Sequence, residues 1–353
     1  MTLNHSYLGA NSPVGFYSLY QQAMEEAGEC LIIKGTPGCG KSTFMGKIAD
    51  ALEQLNVPVE RFRCSSDPLS LDGISIPALS TSYFDGTAPH ILEPDCPGAA
   101  GSYIDLGQFA DTSALNCRAD ELKELFFLCS SCYPEAYARL NTARDLLNDR
   151  LALVCRNVDF GKIAKRTRGI ISREIGRPSD KKGKLKKRFV SSVSFLGYRS
   201  EADAAVRDYE RVYKLETRYE LTRFVTPMLL NATLEAGYDT IACYDPMNPS
   251  GPPEHILIPA LKLAFVTSSE FVYSGDHVRN FRLDSYINST TADRARIKFN
   301  KKTASCLIDE AVMTLGKAKQ LHDEIELIYR DHIDFDGVSR LAQRHIKALA
   351  ARL

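Results

Sequence analysis

Near the start of the chain, Gly35-Thr36-Pro37-Gly38-Cys39-Gly40-Lys41-Ser42-Thr43 has the residue types and spacing of a phosphate cradle. The pattern G-x-x-x-x-G-K-[ST] is met in full. Glycines at 35, 38 and 40 let backbone N–H groups turn inward around an anion, and the positive end of a following helix faces the same point. Lys41 is expected to reach the β- and γ-phosphates of a nucleotide, and Ser42 to ligate Mg²⁺.

Such a site also needs a carboxylate for the metal at the end of a neighbouring strand. Asp85, in IPALSTSYFDGTAPH, fits that place, although its pairing with Gly86 would serve a plain turn equally well. Many hydrolases place a glutamate directly after the metal-binding aspartate, and here Gly86 follows instead. The candidates for a general base are Asp67, Asp72 and His90, of which Asp67 is preferred; each could also simply hold a turn.

The flanking segments read as the elements the cradle requires. CLIIK, residues 30–34, is a short apolar run with the character of a buried parallel strand. In STFMGKIADALEQL, Phe44, Met45, Ile48, Ala51, Leu52 and Leu55 recur at helical spacing. VPVERFRC and the segment 79–84 are further strands, and residues 119–175 and 304–353 carry helical periodicity.

The chain also repeats itself. Tyr7-Leu8-Gly9 resembles Phe195-Leu196-Gly197, Ile76-Pro77-Ala78-Leu79 recurs as Ile258-Pro259-Ala260-Leu261, and Val158-Asp159-Phe160 resembles Ile333-Asp334-Phe335. Three matches in order indicate duplication. A gapless overlay sets Gly35 on Glu216, Gly38 on Tyr219, Gly40 on Leu221, Lys41 on Thr222 and Ser42 on Arg223, and a one-residue shift sets Asp85 on Thr267. The second half therefore keeps the fold signals and loses the phosphate chemistry. Arg218 and Arg223 read as a solvated helix start, with completion of a neighbouring active site as the sharper alternative.

Bulk composition narrows the function classes. With 353 residues, 44% hydrophobic and 25% charged, the chain has the make-up of a soluble protein of two domains. Lys+Arg and Asp+Glu both number 44, which gives no reason to expect nucleic acid or an anionic membrane as partner. There is no secretory leader and no long apolar run, and ten scattered cysteines suit a reducing cytoplasm. Residues 162–188 are basic, and PSDKKGKLKKR reads as a mobile, solvated linker. Cys129-Ser-Ser-Cys132 lacks the second ligand pair of a zinc site and follows a helical run, so packing is the preferred reading; Cys39 could be oxidation-sensitive.

Taken together, GTPGCGKST, CSSDPLSLDG, IPAL, FDGTAPH with EPDCPGA, IDLGQF and HILIPALKLAFVTS make the chain resemble a family of bacterial ATPase-like proteins built as tandem P-loop domains. Members can carry a P-loop-like segment in the second half, from which this sequence departs. The resemblance implies nucleotide binding and names no substrate. The expected fold class is α/β, with two tandem P-loop NTPase-like domains on mostly parallel sheets, each followed by a helical segment. The expected domains are residues 1–178, a basic linker at 179–188, and a degenerate domain at 189–353. The expected function is an ATPase with one Mg-nucleotide site, in which Lys41, Asp85 and Asp67 act in catalysis and Ser42 and Asp85 hold Mg²⁺. A small-molecule or nucleoside kinase, with CSSDPLSLDG holding the phosphoryl acceptor, and a non-hydrolysing switch that meets a protein partner are the alternatives. No LSGGQ-like signature is present, and NKKT at 300–303 lacks the aspartate that would recognise guanine, so ATP is the default nucleotide.

Overall fold

The apolar run before the glycine loop forms the strand it predicts, and the periodic segment after it forms the helix. In the computed structural model, which describes residues 3–94, 96–267, 278–288 and 293–353, these are β4 and α2 of the first half. Asp95 of the EPDCPGA motif and Ser268 of LKLAFVTS lie outside the described residues. The strands of that half are β1 (His5–Tyr7), β2 (Gly9–Ser12), β3 (Gly15–Ser18), β4 (Glu29–Lys34), β5 (Glu60–Arg63), β6 (Leu71–Ile76), β7 (Thr81–Asp85) and β8 (Gly101–Asp105). Its helices are α1 (Tyr20–Glu25) and α2 (Lys41–Gln54), followed by α3 (Thr112–Leu115), α4 (Ala119–Cys155) and α5 (Phe160–Glu174). The second half has β9 (Leu185–Phe189), β10 (Ser191–Ser194), β11 (Gly197–Ser200), β12 (Arg211–Glu216), β13 (Thr240–Tyr244), β14 (His255–Ile258), β15 (Leu263–Thr267) and β16 (Val278–Arg282). Between and after them come α6 (Ala202–Ala205), α7 (Thr226–Glu235), α8 (Arg294–Arg330) and α9 (Phe335–Ala350).

One sheet of twelve strands runs through both halves in the order β16-β12-β15-β14-β13-β9-β1-β5-β6-β7-β4-β8. Six of its pairings are parallel and five antiparallel. Each half contributes the same order of equivalent strands, and the halves meet where β1 pairs with β9 through Tyr7 and Phe189. No helix of the described residues is long and apolar enough to cross a membrane.

The duplication is visible in backbone detail. Pro77–Leu79 and Pro259–Leu261 each form one 3-10 turn, closed by left-handed Ser80 (φ 49°) and Lys262 (φ 45°). The hairpins β2–β3 and β10–β11 close at Ser12/Gly15 and Ser194/Gly197, with φ of 101° and 90° at the two glycines. The counterpart of Tyr7 is thus Phe189, at the end of β9. Phe195-Leu196-Gly197 matches the turn Pro13-Val14-Gly15, so its likeness to Tyr7-Leu8-Gly9 is a coincidence of letters.

The overlay of the two glycine-loop regions also needs correction. Ile33 pairs with Asp85 across β4 and β7, and Leu215 pairs with Thr267 across β12 and β15. Because Thr267 stands where Asp85 does, Leu215 matches Ile33, and Gly35 falls on Thr217, not on Glu216. In the first half Gly35–Gly40 joins strand to helix; in the second, Thr217–Glu220 does so, two residues fewer, and leads into a 3-10 turn at Leu221–Phe224.

The basic segment is not all linker. Leu185–Phe189 is a central strand, paired with β13 and β1. Its Arg188 is 2% exposed and held by two carboxylates: Nε donates to Glu60 Oε1 at 2.8 Å, and Nη2 donates to Glu26 Oε2 at 2.7 Å. Neutralisation by two glutamates from the other half allows a charged residue to sit at the seam, where composition suggests solvent.

The helical segments are exchanged between the halves. α4 and α8 lie antiparallel along each other: Cys129 faces Ala318, while Asp149 near the far end of α4 takes Arg296 at 2.7 Å. Beyond them, α9 returns to the first half, where Val338, Ala342 and Leu349 join the core of Phe44, Met45 and Ile48. Equivalently, Ile163, Ile170 and Ile175, from α5 and the residue after it, join the second-half core around Tyr213, Leu215 and Leu229. Single bridges Ala110–Ile333 and Val158–Ile287 pin each crossing. The division at 178/189 follows the repeat in the sequence; each packed core draws its last helix from the other repeat.

Candidate phosphate-binding site

β4 delivers the chain to Gly35 at the carboxyl edge of the sheet, between β7 on one side and β8 on the other. The chain leaves β4 towards one side of the sheet through α2 and later returns through β8 to the other. That makes the end of β4 a topological switch point, the place where open α/β sheets bind ligands. Gly38 (φ 70°) and Gly40 (φ 89°) adopt left-handed backbone that side chains resist, and α2 starts at Lys41. A Cβ on Gly35 would lie 2.7 Å from Cys39 Sγ, and one on Gly38 would lie 2.9 Å from Glu326 O. Gly35 is therefore required by packing, and Gly38 by packing as well as by turn geometry.

The charged groups converge on this loop. Lys41 Nζ donates to Thr36 O at 3.1 Å and Gly35 O at 3.4 Å, and lies 3.8 Å from Asp85 Oδ2. Asp85 ends β7, beside β4. Its Oδ1 accepts from Thr87 N and Thr87 Oγ1 at 2.9 and 2.6 Å, while its other oxygen faces Lys41. The aspartate thus serves the turn and the loop at once. Ser42 Oγ accepts from Leu71 N at 2.9 Å and keeps its O–H and a second lone pair. Thr36 Oγ1 is buried in the loop with no hydrogen-bond partner in the protein. Pro37 is partly buried and Thr43, the third residue of the helix, is exposed. These residues suit a Mg-phosphate group: N–H-lined glycine backbone, one ammonium, one hydroxyl and one carboxylate from the adjacent strand.

Cys39 differs from the expectation. It is fully buried, and burial pushes its thiol up from the ordinary value, against the pull of Lys41. A site-selective oxidation needs an accessible thiolate, so this cysteine is packing. Cys129 and Cys132 are likewise free, buried thiols between α4 and α8.

Asp67 is occupied as a turn residue. It accepts from Leu69 N at 3.1 Å and Ser70 Oγ at 3.2 Å, and Lys319 Nζ of α8 stands 3.5 Å away. Asp72 and His90 are brought together in a buried cluster with Tyr20, whose hydroxyl donates to Asp72 Oδ2 at 3.0 Å. His90 Nε2 lies 3.3 Å from the same oxygen, and its ring stacks on Tyr20 at 4.8 Å. Burial would lower the His90 pKa, but the Asp72 carboxylate outweighs it and the net direction is upward. These two residues cooperate, which their separate turn-like contexts conceal.

Sequence reading missed the contribution of α8. Besides Lys319, which also pairs with Asp323, this helix packs its Glu326 backbone against Gly38. His322, Asp323 and Glu326 bring their ligand atoms within 4.8 Å of one another on the same stretch. Nothing local in LHDEIELIY signals this placement; it follows from the helix exchange. Comparison with family profiles, with curated proteins and with solved structures returned no match for the chain.

Proposed function

We propose that the first half binds the phosphates of ATP with Mg²⁺ and hydrolyses it slowly, as a P-loop ATPase with one nucleotide site per chain. In this reading the N–H groups of Gly35–Thr43 cradle the β- and γ-phosphates, Lys41 neutralises them, and Ser42 and Asp85 hold the metal. The observation that carries it is the approach of Lys41 to Asp85, 3.8 Å across the ends of two adjacent parallel strands, over a loop of left-handed glycines. An ammonium and a carboxylate separated this way are poised to divide between phosphate and metal. Slow turnover follows from the residue after Asp85, a glycine, and from Asp67, whose carboxylate is spent on its turn and on Lys319. The second half lacks the glycines, the lysine and the aspartate, and contributes no nucleotide site.

Calorimetric titration with Mg-ATP, followed by phosphate release on the same sample, tests this. One site per chain with steady release is expected. In Lys41→Ala, loss of a charge-assisted contact of about 1.5–3 kcal/mol should weaken binding by about 10- to 100-fold. A folded Lys41→Ala protein that binds Mg-ATP like the parent sinks the assignment.

A further inference from the structure

At the matching place in the second half lies a cavity of about 860 Å³. The loop after β12, the ends of β13 and β15, and the paired helices α4 and α8 enclose it. Its floor is the shortened loop Thr217–Glu220, which has lost the phosphate cradle, yet the space above it is open. Two kinds of side chain line it. Arg144, Arg150 and Lys301 supply positive charge, and Leu147, Met247 and Ile308 supply an apolar wall.

Arg150 is the informative member. It is 8% exposed, and its guanidinium lies 4.7 Å from the Tyr219 ring and donates through Nη2 to Arg218 O at 2.5 Å. Its Nε is buried with no hydrogen-bond partner. Among the described residues no carboxylate lies within salt-bridge distance of it. Burying an arginine without a counter-ion costs several kcal/mol, as an order of magnitude, unless an anion arrives to pair with it. The Arg188 of the seam shows the contrast, since two glutamates satisfy it. In the equivalent position of α8 stands Ile325, so this arginine is particular to the cavity over the second-half core. Seven cations and five carboxylates line the cavity, Glu254 and Asp245 among the carboxylates, so an excess of positive charge remains. Glu220 is taken by Arg223, Asp284 by Arg218 and Glu216 by Arg282. Burial raises the pKa of Asp245 above the ordinary carboxylate value, with the neighbouring Glu220 charge adding to it.

We propose that this cavity binds a small organic oxyanion, its anionic group on Arg150 and its apolar body against Leu147, Met247 and Ile308. The site is separate from the nucleotide site in residues and in chemistry: it uses an arginine fork where the first half uses backbone N–H groups and a lysine. The antiparallel pair α4 and α8 provides one wall of it.

Calorimetry of the full chain with phenyl phosphate, benzoate and inorganic phosphate tests the assignment. One saturable site for phenyl phosphate or benzoate is expected, at least ~10-fold tighter than for inorganic phosphate because the ring fills the apolar side. Preference for phenyl phosphate assigns a phosphate monoester as the natural ligand class, and preference for benzoate assigns a carboxylate. Arg150→Met should weaken binding at least ~10-fold. Lys301→Glu, on the exposed rim where the fold is indifferent to it, should weaken it several-fold. Lys41→Ala should leave it unchanged. Absence of saturable binding by both aromatic probes overturns the proposal, as does binding that Lys301→Glu and Arg150→Met leave intact or that Lys41→Ala removes.

Discussion

Two single residues show how the local backbone and burial fix what a side chain can be. Gly38 combines φ of 70° with a wall of Glu326 backbone, where an added Cβ would sit 2.9 Å from a carbonyl oxygen. Gly38→Ala should therefore cost about 1–2 kcal/mol from the left-handed conformation alone, and more from the clash. A lowered Tm together with weaker Mg-ATP binding is the expected result; a variant as stable as the parent would show that the loop and α8 can part freely. His255 is the second case. Thr267 N donates to its Nδ1 at 3.0 Å, so this nitrogen must be unprotonated, and burial lowers the pKa to about 3. Glu254, 3.5 Å from Nε2, pulls the other way without overcoming burial. The unfolded chain, with an ordinary value of about 6.5, binds the proton first, so stability is present above pH ~6.5 and falls as pH drops towards ~3. The slope is about 1.4 kcal/mol per pH unit. His255→Gln retains an acceptor for Thr267 and removes the titration. Between pH 7 and 4.5 the parent should lose about 2–3 kcal/mol more than the variant in urea unfolding, and equal losses would place the proton on His255 in the fold.

Elements were legible in proportion to how local their causes are. β4, the glycine loop and α2 follow from an apolar run, left-handed turns and helical spacing within one stretch of chain, and they form as read. β9 was hidden because its charge is answered from elsewhere: Lys186 and Arg188 look solvated until Glu26 and Glu60 of the first half are brought to them. The register of β12 slipped by one because RVYKLE offers no glycine to anchor it, and the pairing with β15 fixes what the letters leave open. Asp72 and His90 met only through tertiary packing. The seam strand makes a prediction at this scale. Arg188→Met leaves Glu60, which is 4% exposed, without its cation. Removing one partner of a buried ion pair costs about 3–5 kcal/mol. Urea unfolding should report a loss of that order, partly restored in Arg188→Met/Glu60→Gln, where the orphaned charge is also removed. A single variant as stable as the parent would mean the seam carries its charge in water.

The arrangement of the whole molecule could not be read from the repeat, because both copies carry the same helices in the same order and either core would accept either α5 or α9 by apolar pattern. The structure resolves the choice: each α/β core is completed by the other repeat. Burial of Val338, Ala342 and Leu349 against α2 is worth several kcal/mol, at about 1.5–3 kcal/mol for each larger side chain. His345 adds a hydrogen bond between its Nδ1 and Tyr83 OH at 3.1 Å, and Lys47 donates to Ser339 at 2.8 Å. A fragment of residues 1–178 lacks this helix and exposes Phe44, Met45 and Ile48 of the α2 face, while its own α4 and α5 are left without the second-half core and α8. It should therefore fail to melt cooperatively when made alone. Co-expressed with residues 179–353, it should recover a cooperative transition, and the two pieces should purify together in one-to-one ratio, since the α4–α8 pair and both exchanged helices hold them. Because the glycine loop packs on α8 at Glu326, the Mg-ATP binding proposed for it should return only in the reconstituted pair. A stable, nucleotide-binding 1–178 fragment would show that each repeat can close on its own helices, and that the exchange is one of two packings open to this chain.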